Sequence, residues 1–445
     1  MKKIRNISLF LLGALIIGSC NKQIVAKEVN PNNPQSVPPN LVLGTVLLDM
    51  AGVGSAGALG GLDSWDNVQD WNQYHCQNYD YYGNNIYSWS SGNFDPYLVL
   101  KNVVQMEKEV LNRGGSAVNP YEAVGRFIRA YYYYNMTSMY GDVPQAQALE
   151  AAANPTPGYT PQEQVFAYVL NELDSANTDL ATLIANNDQS LSASQDLYYG
   201  TANPNNTAGD IELELQEWQK LVNSYKLRVL ISLSMQAGDA TLNVPTQFAN
   251  IINNPVKYPI FTSQADDLQF FYNPGGSNTF STYPFNESNF GSIAGRFNMA
   301  YTYVNALTTL NDARVFITCD PAWAIVTNAD SPAQFQYFVG ASTGLDLDTM
   351  YSNASAGDYS YINRYRYYSN FTGEPDVLCG YKEMCFNIAE AIERGWVSGN
   401  AETWYKTGIN ESMKFYGIDT TKTSFTARFL PPGANSVTQV APYPF

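Results

Sequence analysis

Six stretches in the first half of the chain, residues 41–50, 64–78, 94–113, 120–139, 161–185 and 212–236, carry apolar residues at three- and four-residue steps. That spacing lines one face of an α-helix, so each stretch must bury a stripe against another element. Two further stretches of this kind, 376–394 and 401–416, come late. Glycine follows Arg113, Tyr140, Ala237 and Arg394, where a helix would end in a left-handed residue. Long helices joined by short turns predict a predominantly α fold of stacked, tetratricopeptide-like helical pairs, although the usual period of about 34 residues is not kept cleanly. Between them, segments 186–210, 254–298 and 319–375 lack helical period and are rich in Gly, Asn, Ser, Pro and aromatic residues. Long irregular loops on a rigid scaffold are where a binding lobe is expected.

The chain begins with basic residues Lys2, Lys3 and Arg5, followed by an apolar run from Ile7 to Ile17 broken only by Ser8 and Gly13. This is the layout of a signal peptide, too short for a permanent span. The run ends in Ile17-Gly18-Ser19-Cys20, which resembles the lipobox cut by the lipoprotein signal peptidase. Residues 1–19 are therefore read as a lipoprotein signal peptide, with Cys20 as the lipidation site. The proline-containing stretch 20–40 is read as a lipid-anchored tether; length alone suggests two or three domains, while a family resemblance carried by strings further along the chain implies a single domain over 41–445.

The formal charge of the whole chain is −16. Losing Lys2, Lys3 and Arg5 with the leader takes it to −19, since residues 1–19 hold no acid. Such a surface repels nucleic acid and anionic lipid heads, so no nucleic-acid partner is expected. Beyond Cys20 there are Cys76, Cys319, Cys379 and Cys385, none at a zinc or redox-motif spacing. In an exported chain they allow two disulfides or four buried thiols.

Several strings resemble the SusD/RagB family of outer-membrane nutrient-binding lipoproteins. Arg126-Phe127-Ile128-Arg129-Ala130 followed by Tyr140-Gly141-Asp142-Val143-Pro144 is similar to that family's helix ending in a Tyr-Gly-Asp-x-Pro turn. Trp218, Asn223, Leu227 and Arg228 match a second helix, and Asn311-Asp312-Ala313-Arg314 stands where members carry Asp-Pro-Arg. Glu383 with Ala389-Glu390-Ala391 and Arg394-Gly395-Trp396, then Tyr405, Gly408, Ile409, Ser412 and Met413, form the most specific part. Each string also has a structural reading: Arg126 and Arg129 pairing with Asp142 or tying a helix end, and Arg228 pairing with Glu390. Members usually continue into a further helix pair with a Gln-Lys-Trp-like string, whereas this chain stops at Phe445, so the resemblance implies truncation at the C-terminus. It further implies a SusD-like scaffold with an irregular binding lobe, at the cell surface of the outer membrane. Such a protein caps a SusC-like TonB-dependent transporter and delivers oligosaccharides or, in RagB-like members, peptides.

Catalytic constellations are sparse. His75 is the only histidine, which excludes multi-His metal sites, and its place on the stretch 64–78 reads as an ordinary polar helix residue. Asp266-Asp267 and the pair Asp346 and Asp348 read as solvated acidic loops rather than calcium ligands. A surface glycoside hydrolase would need two such acids facing each other in a cleft. No catalytic residue, metal or cofactor is expected. Residues 65–97, by contrast, hold ten Trp, Tyr and Phe, against 14% aromatic for the chain. Rings beside amides and carboxylates suit sugars, whose C–H faces stack while their hydroxyls take hydrogen bonds. Trp71, Tyr74 and Tyr97 fall at helical spacing and read as core. Tyr79, Tyr81, Tyr82, Tyr87 and Trp89 lie in the adjoining loop as candidate ligand contacts. Tyr272, Tyr283, Phe290 and Trp323 are further candidates on later loops that would have to converge with the first.

Overall fold

A computed structural model describes residues 36–52, 71–79, 85, 96–150, 153–273, 294–431 and 437–442. Five helices in chain order, α1 (Pro39–Met50), α2 (Pro96–Asn112), α3 (Pro120–Tyr140), α4 (Gln162–Ala185) and α5 (Ile211–Ser232), each pack on the next. Helix α6 (Val244–Asn253) lies against α5. The late pair, α11 (Tyr381–Glu393) and α12 (Ala401–Phe415), packs side by side, with α11 also against α5. Gly408 permits that pairing, because a Cβ there would lie 2.9 Å from the Phe386 ring of the facing helix.

Between these blocks run short elements: β1 (His75–Gln77), β2 (Leu268–Phe270), β3 (Phe297–Met299), α7 (Tyr301–Thr309), α8 (Val315–Thr318), α9 (Leu347–Ala356), α10 (Arg364–Tyr368) and β4 (Asp376–Cys379). Strands β5 (Ser424–Phe429) and β6 (Val437–Pro442) form a hairpin. Three two-stranded ladders are seen among the described residues, β1–β3, β2–β4 and β5–β6, all antiparallel. The predominantly helical, tetratricopeptide-like scaffold with irregular connections is thus the fold expected from the periodicity.

Two expected helices are shortened by these ladders. The described end of 64–78 leaves the helix at Gln73, whose φ is +54°, and continues as β1. The stretch 376–394 begins as β4 against β2, and its helix starts only after Gly380. In both places backbone pairing with a segment more than 100 residues away overrides local pattern. Conversely, the loop 319–375 contains α9 and α10.

The largest buried side chains are mainly aromatic, among them Trp218, Tyr132, Tyr198, Tyr199, Tyr225 and Phe127. Phe127 meets Trp218 and Tyr225 edge-on at 5.7 and 5.3 Å, and Tyr199 meets Trp218 at 5.3 Å. Such T-shaped pairs join face to edge and contribute beyond their buried area. The indole of Trp218 is mated: its Nε1 donates to Asp196 at 2.6 Å, and the Asp196 carboxylate also takes the amides of Tyr198 and Tyr199. Asn223 Nδ2 donates to Asn177 Oδ1 and to the Pro259 carbonyl, and Ser224 Oγ accepts the Phe261 amide. The string around Trp218 is therefore a set of pegs that fix loops 196–199 and 259–261 onto α5.

The charged strings pair differently from the sequence expectation. Arg126 bonds Asp179 and Glu172 on α4, and Arg129 bonds Glu107 on α2 and Glu172. Two arginines thus clamp three helices, while Asp142 instead accepts the Gln162 amide, capping α4 at 2.9 Å where Pro161 offers no side-chain cap. Arg228 forks onto Glu383 of α11, not Glu390, which pairs with Arg394 one turn along its own helix. Asp266 and Asp267 are buried rather than solvated. Asp266 takes Thr262 and Lys220, and Asp267 takes the Tyr381 amide. Asp346 caps α9 through the amides of Asp348 and Thr349. Of the two states left open for the cysteines, Cys76, Cys319, Cys379 and Cys385 adopt the second: all are buried thiols, and burial pushes Cys319, Cys379 and Cys385 up to about 12.

Burial also pushes the Glu214 carboxyl up to about 9, with Asp196 and Asp210 adding to the effect. A carboxyl raised in the fold binds its proton more tightly there than in the unfolded chain, so stability falls as pH rises between the two pKa values. Above about pH 7.5, where His75, lowered to about 4 by burial, is neutral in both states, unfolding free energy should decline towards pH 9. The Glu214 contribution is at most about 1.4 kcal/mol per pH unit. Glu214→Gln should flatten the decline between about pH 7.5 and 9 in urea titrations; an unchanged slope would place the cause elsewhere.

Candidate functional site

Loops distant in sequence meet through β1 and β3. His75 pairs with Met299, Cys76 with Asn298 and Gln77 with Phe297. The ladder is extended by the Ala300 amide to the Tyr74 carbonyl at 2.9 Å and by the Asn78 amide to the Arg296 carbonyl at 2.8 Å. Asn78 Nδ2 bonds Asn298 Oδ1 across it. On the other side Tyr301 donates to Ala341, and Met299 donates to Ser360. Four segments are therefore locked together, with Cys76, Ala300, Ala341 and Met350 as a small apolar knot beneath them. Asn78 and Arg296 stand at one end of the ladder.

At the other end opens a cavity of about 410 Å³. Its aromatic walls are Tyr74, Tyr303 from α7, Tyr367 from α10 and Tyr416 at the end of α12. Tyr74 is 47% exposed and lies 5.3 Å from the Tyr303 ring. The polar walls are Arg314, Glu374, Asp376, Lys382 and Ser412. Arg314 forks onto Asp312 and donates to Ser412 Oγ at 2.8 Å, joining two of the motif strings noted in the sequence. Tyr303 OH bonds Thr318 Oγ1 at 3.0 Å. A smaller cavity of about 250 Å³ adjoins, sharing Tyr416 and lined by Asn363, Tyr365, Arg366, Asn370 and Arg428 among others. Arg366 lies 4.9 Å from the Tyr416 ring and pairs with Glu374.

Rings, carboxylates, amides and hydroxyls thus converge, and this combination can stack a sugar face while exchanging hydrogen bonds with its hydroxyls. Glu374 is held as the counter-ion of Arg366, and Asp376 accepts the Tyr272 hydroxyl. Among the described residues no group of three or more His, Cys, Asp or Glu side chains is placed to hold a metal ion.

The expected site residues fare unevenly. Tyr79 is half-buried at the rim of the ladder, with its ring 5.7 Å from Tyr351 of α9, and does not line the larger cavity. Tyr272 is buried and reaches the cavity only through Asp376. Trp323 is half-buried, edge-on to Phe429 at 6.4 Å, and packs against the core. Tyr81, Tyr82, Tyr87, Trp89, Tyr283, Phe290 and Cys20 lie outside the described residues. Trp71 and Tyr74, read as core from a helical spacing, are both exposed, and the chain leaves the helix between them, at Gln73. His75 is not a surface helix residue but a buried strand residue, edge-on to Phe297 at 5.0 Å. Tyr303, Tyr367, Tyr416 and Lys382 carried no sequence signal for a site, since each sits in a helix or at its end. Only the Arg314 and Ser412 strings marked the place.

A family model described as "Starch-binding associating with outer membrane" matches residues 31–441. An outer-membrane protein of Bacteroides vulgatus is similar in structure, with 28% identity, a TM-score of 0.70, and 85% of this chain and 74% of that chain covered. A SusD homologue of Bacteroides fragilis shares 30% identity at a TM-score of 0.68, covering 86% and 74%. A chitin-binding SusD homologue of Flavobacterium johnsoniae, at 17% identity and a TM-score of 0.63 over 88% and 75%, shares the fold. Curated proteins offer no match. The chain belongs to the SusD-like family of outer-membrane-associated, starch-binding proteins.

Proposed function

We propose that this protein binds oligosaccharides without turnover, in the cavity between Tyr74, Tyr303 and Tyr416, and passes them to a SusC-like TonB-dependent transporter. The observation that carries the reading is the meeting of the exposed Tyr74 ring and the half-buried Tyr303 and Tyr416 rings with hydrogen-bonding groups beside the ladder. The family's starch-binding description supports it. A single ring contact is worth about 1 kcal/mol, so a site of two or three rings with several hydrogen bonds corresponds to a dissociation constant in roughly the micromolar to millimolar range. Weak binding suits a protein that must release its cargo. A peptide ligand would call for backbone pairing along a strand edge, and a hydrolase for two acids free to exchange protons across a cleft. Glu374, committed to Arg366, does not favour the second.

Tyr74→Ala should weaken binding of a recognised oligosaccharide by roughly five- to tenfold in calorimetry, with the melting temperature nearly unchanged, because the ring is half in solvent. Unaltered affinity would remove this cavity from the site.

Among the described residues no helix is long and apolar enough to cross a membrane. The proposed membrane hold is the lipid on Cys20, at the cell surface. Gentle detergent extraction of the native membrane should co-purify a large β-barrel protein, and Cys20→Ser should leave the membrane fraction in high salt. A chain that stays membrane-bound without the thiol, or that runs alone in every detergent, contradicts the anchor or the transporter assignment respectively.

A further inference from the structure

We propose that the two adjoining cavities select an anionic oligosaccharide, with Lys382 and Arg428 meeting carboxylate or sulfate groups on its sugars. The inference rests on the glycan-binding reading above and names the class of glycan.

The chain is acidic throughout, at −16, yet the linings of these cavities are not. They hold Arg314, Lys382, Arg366 and Arg428 against Glu374 and Asp376. Arg314 is committed to Asp312 and Arg366 to Glu374. Lys382 and Arg428 are different, for neither makes an ion pair with any described residue. Cations of the scaffold that are buried or half-buried like Lys382, among them Arg126, Arg129, Lys220, Lys226 and Arg228, are paired.

Lys382 is half-buried on α11, with its ammonium 3.7 Å from the centre of the Phe415 ring, and burial lowers its pKa. A ring face offsets part of the cost of desolvating that charge, and a ligand anion would offset more. Arg428 stands on the exposed face of β5, laid over Tyr365 at 5.3 Å and donating to its hydroxyl at 2.6 Å. That contact uses part of the guanidinium fork and leaves other donors available for a planar carboxylate or a sulfate. Tyr416 forms a wall common to both cavities, so one ligand of several sugars can follow the wall from one cation to the other. Two cations not taken up in ion pairs also discriminate: their charge adds attraction for an anionic glycan beyond the hydrogen bonds they can give a neutral one.

The test compares the purified soluble domain with tetragalacturonate and its carboxyl-reduced counterpart, and with a chondroitin sulfate tetrasaccharide and its desulfated form. In at least one pair the charged member should bind about tenfold or more tightly, and that preference should shrink between 50 mM and 500 mM salt. Lys382→Met and Arg428→Gln should each reduce it, and melting curves check that both variants fold. Arg428 is exposed, so its variant keeps the test valid if Lys382→Met unfolds. Equal binding of charged and neutral members would overturn the inference while leaving the glycan-binding reading in place. Binding of peptides but of no oligosaccharide would overturn both.

Discussion

The pairing of β1 with β3 is the constraint on which the binding lobe depends. Three residue pairs join segments more than 200 positions apart, and they set how the described residues 71–79 and 294–300 lie against each other. Closing a loop of that length costs conformational entropy that three strand pairs alone would scarcely offset. Two devices supply the remainder. The apolar knot of Cys76, Ala300, Ala341 and Met350 lies below the ladder, and the Asn78–Asn298 amide pair spans it. Within the helical stack, positions are fixed by the Arg126 and Arg129 clamp and by the Trp218–Asp196 peg.

The abundance of tyrosine divides between two tasks. Tyr132, Tyr198, Tyr199 and Tyr225 fill the interior, where edge-to-face contacts pack flat rings densely. Tyr74, Tyr303 and Tyr416 instead face a cavity. The residue type is the same, and only the three-dimensional neighbourhood separates a structural ring from one available to a ligand. This is why an aromatic count in the sequence does not separate rings that line a cavity from rings that fill the core.

What was legible in the sequence was local. Helices α2 to α5 appear within a few residues of their expected bounds because a period of three to four residues and a glycine stop are written in adjacent positions. The strings around Trp218, Asp312 and Ser412 announced a family because they are pegs, caps and counter-ions that the fold requires. Partners were not legible: Arg228 chose Glu383 over Glu390, and Asp142 chose a helix start 20 residues on, since pairing depends on packing between helices. The site was least legible of all. Tyr74 looked like core on a helix that ends before it. Tyr272 and Trp323 looked like loop rings but are held within walls.

Hydrogen exchange with and without a saturating oligosaccharide tests the placement of the site most directly. If the ligand sits against the ladder, amides of residues 74–78 and 297–303 should exchange more slowly on binding, together with those near Arg314 and Tyr416. Amides on the far helices α3 and α4 should not change. Protection confined to those helices, with the ladder unaffected by a ligand that calorimetry confirms is bound, would contradict it.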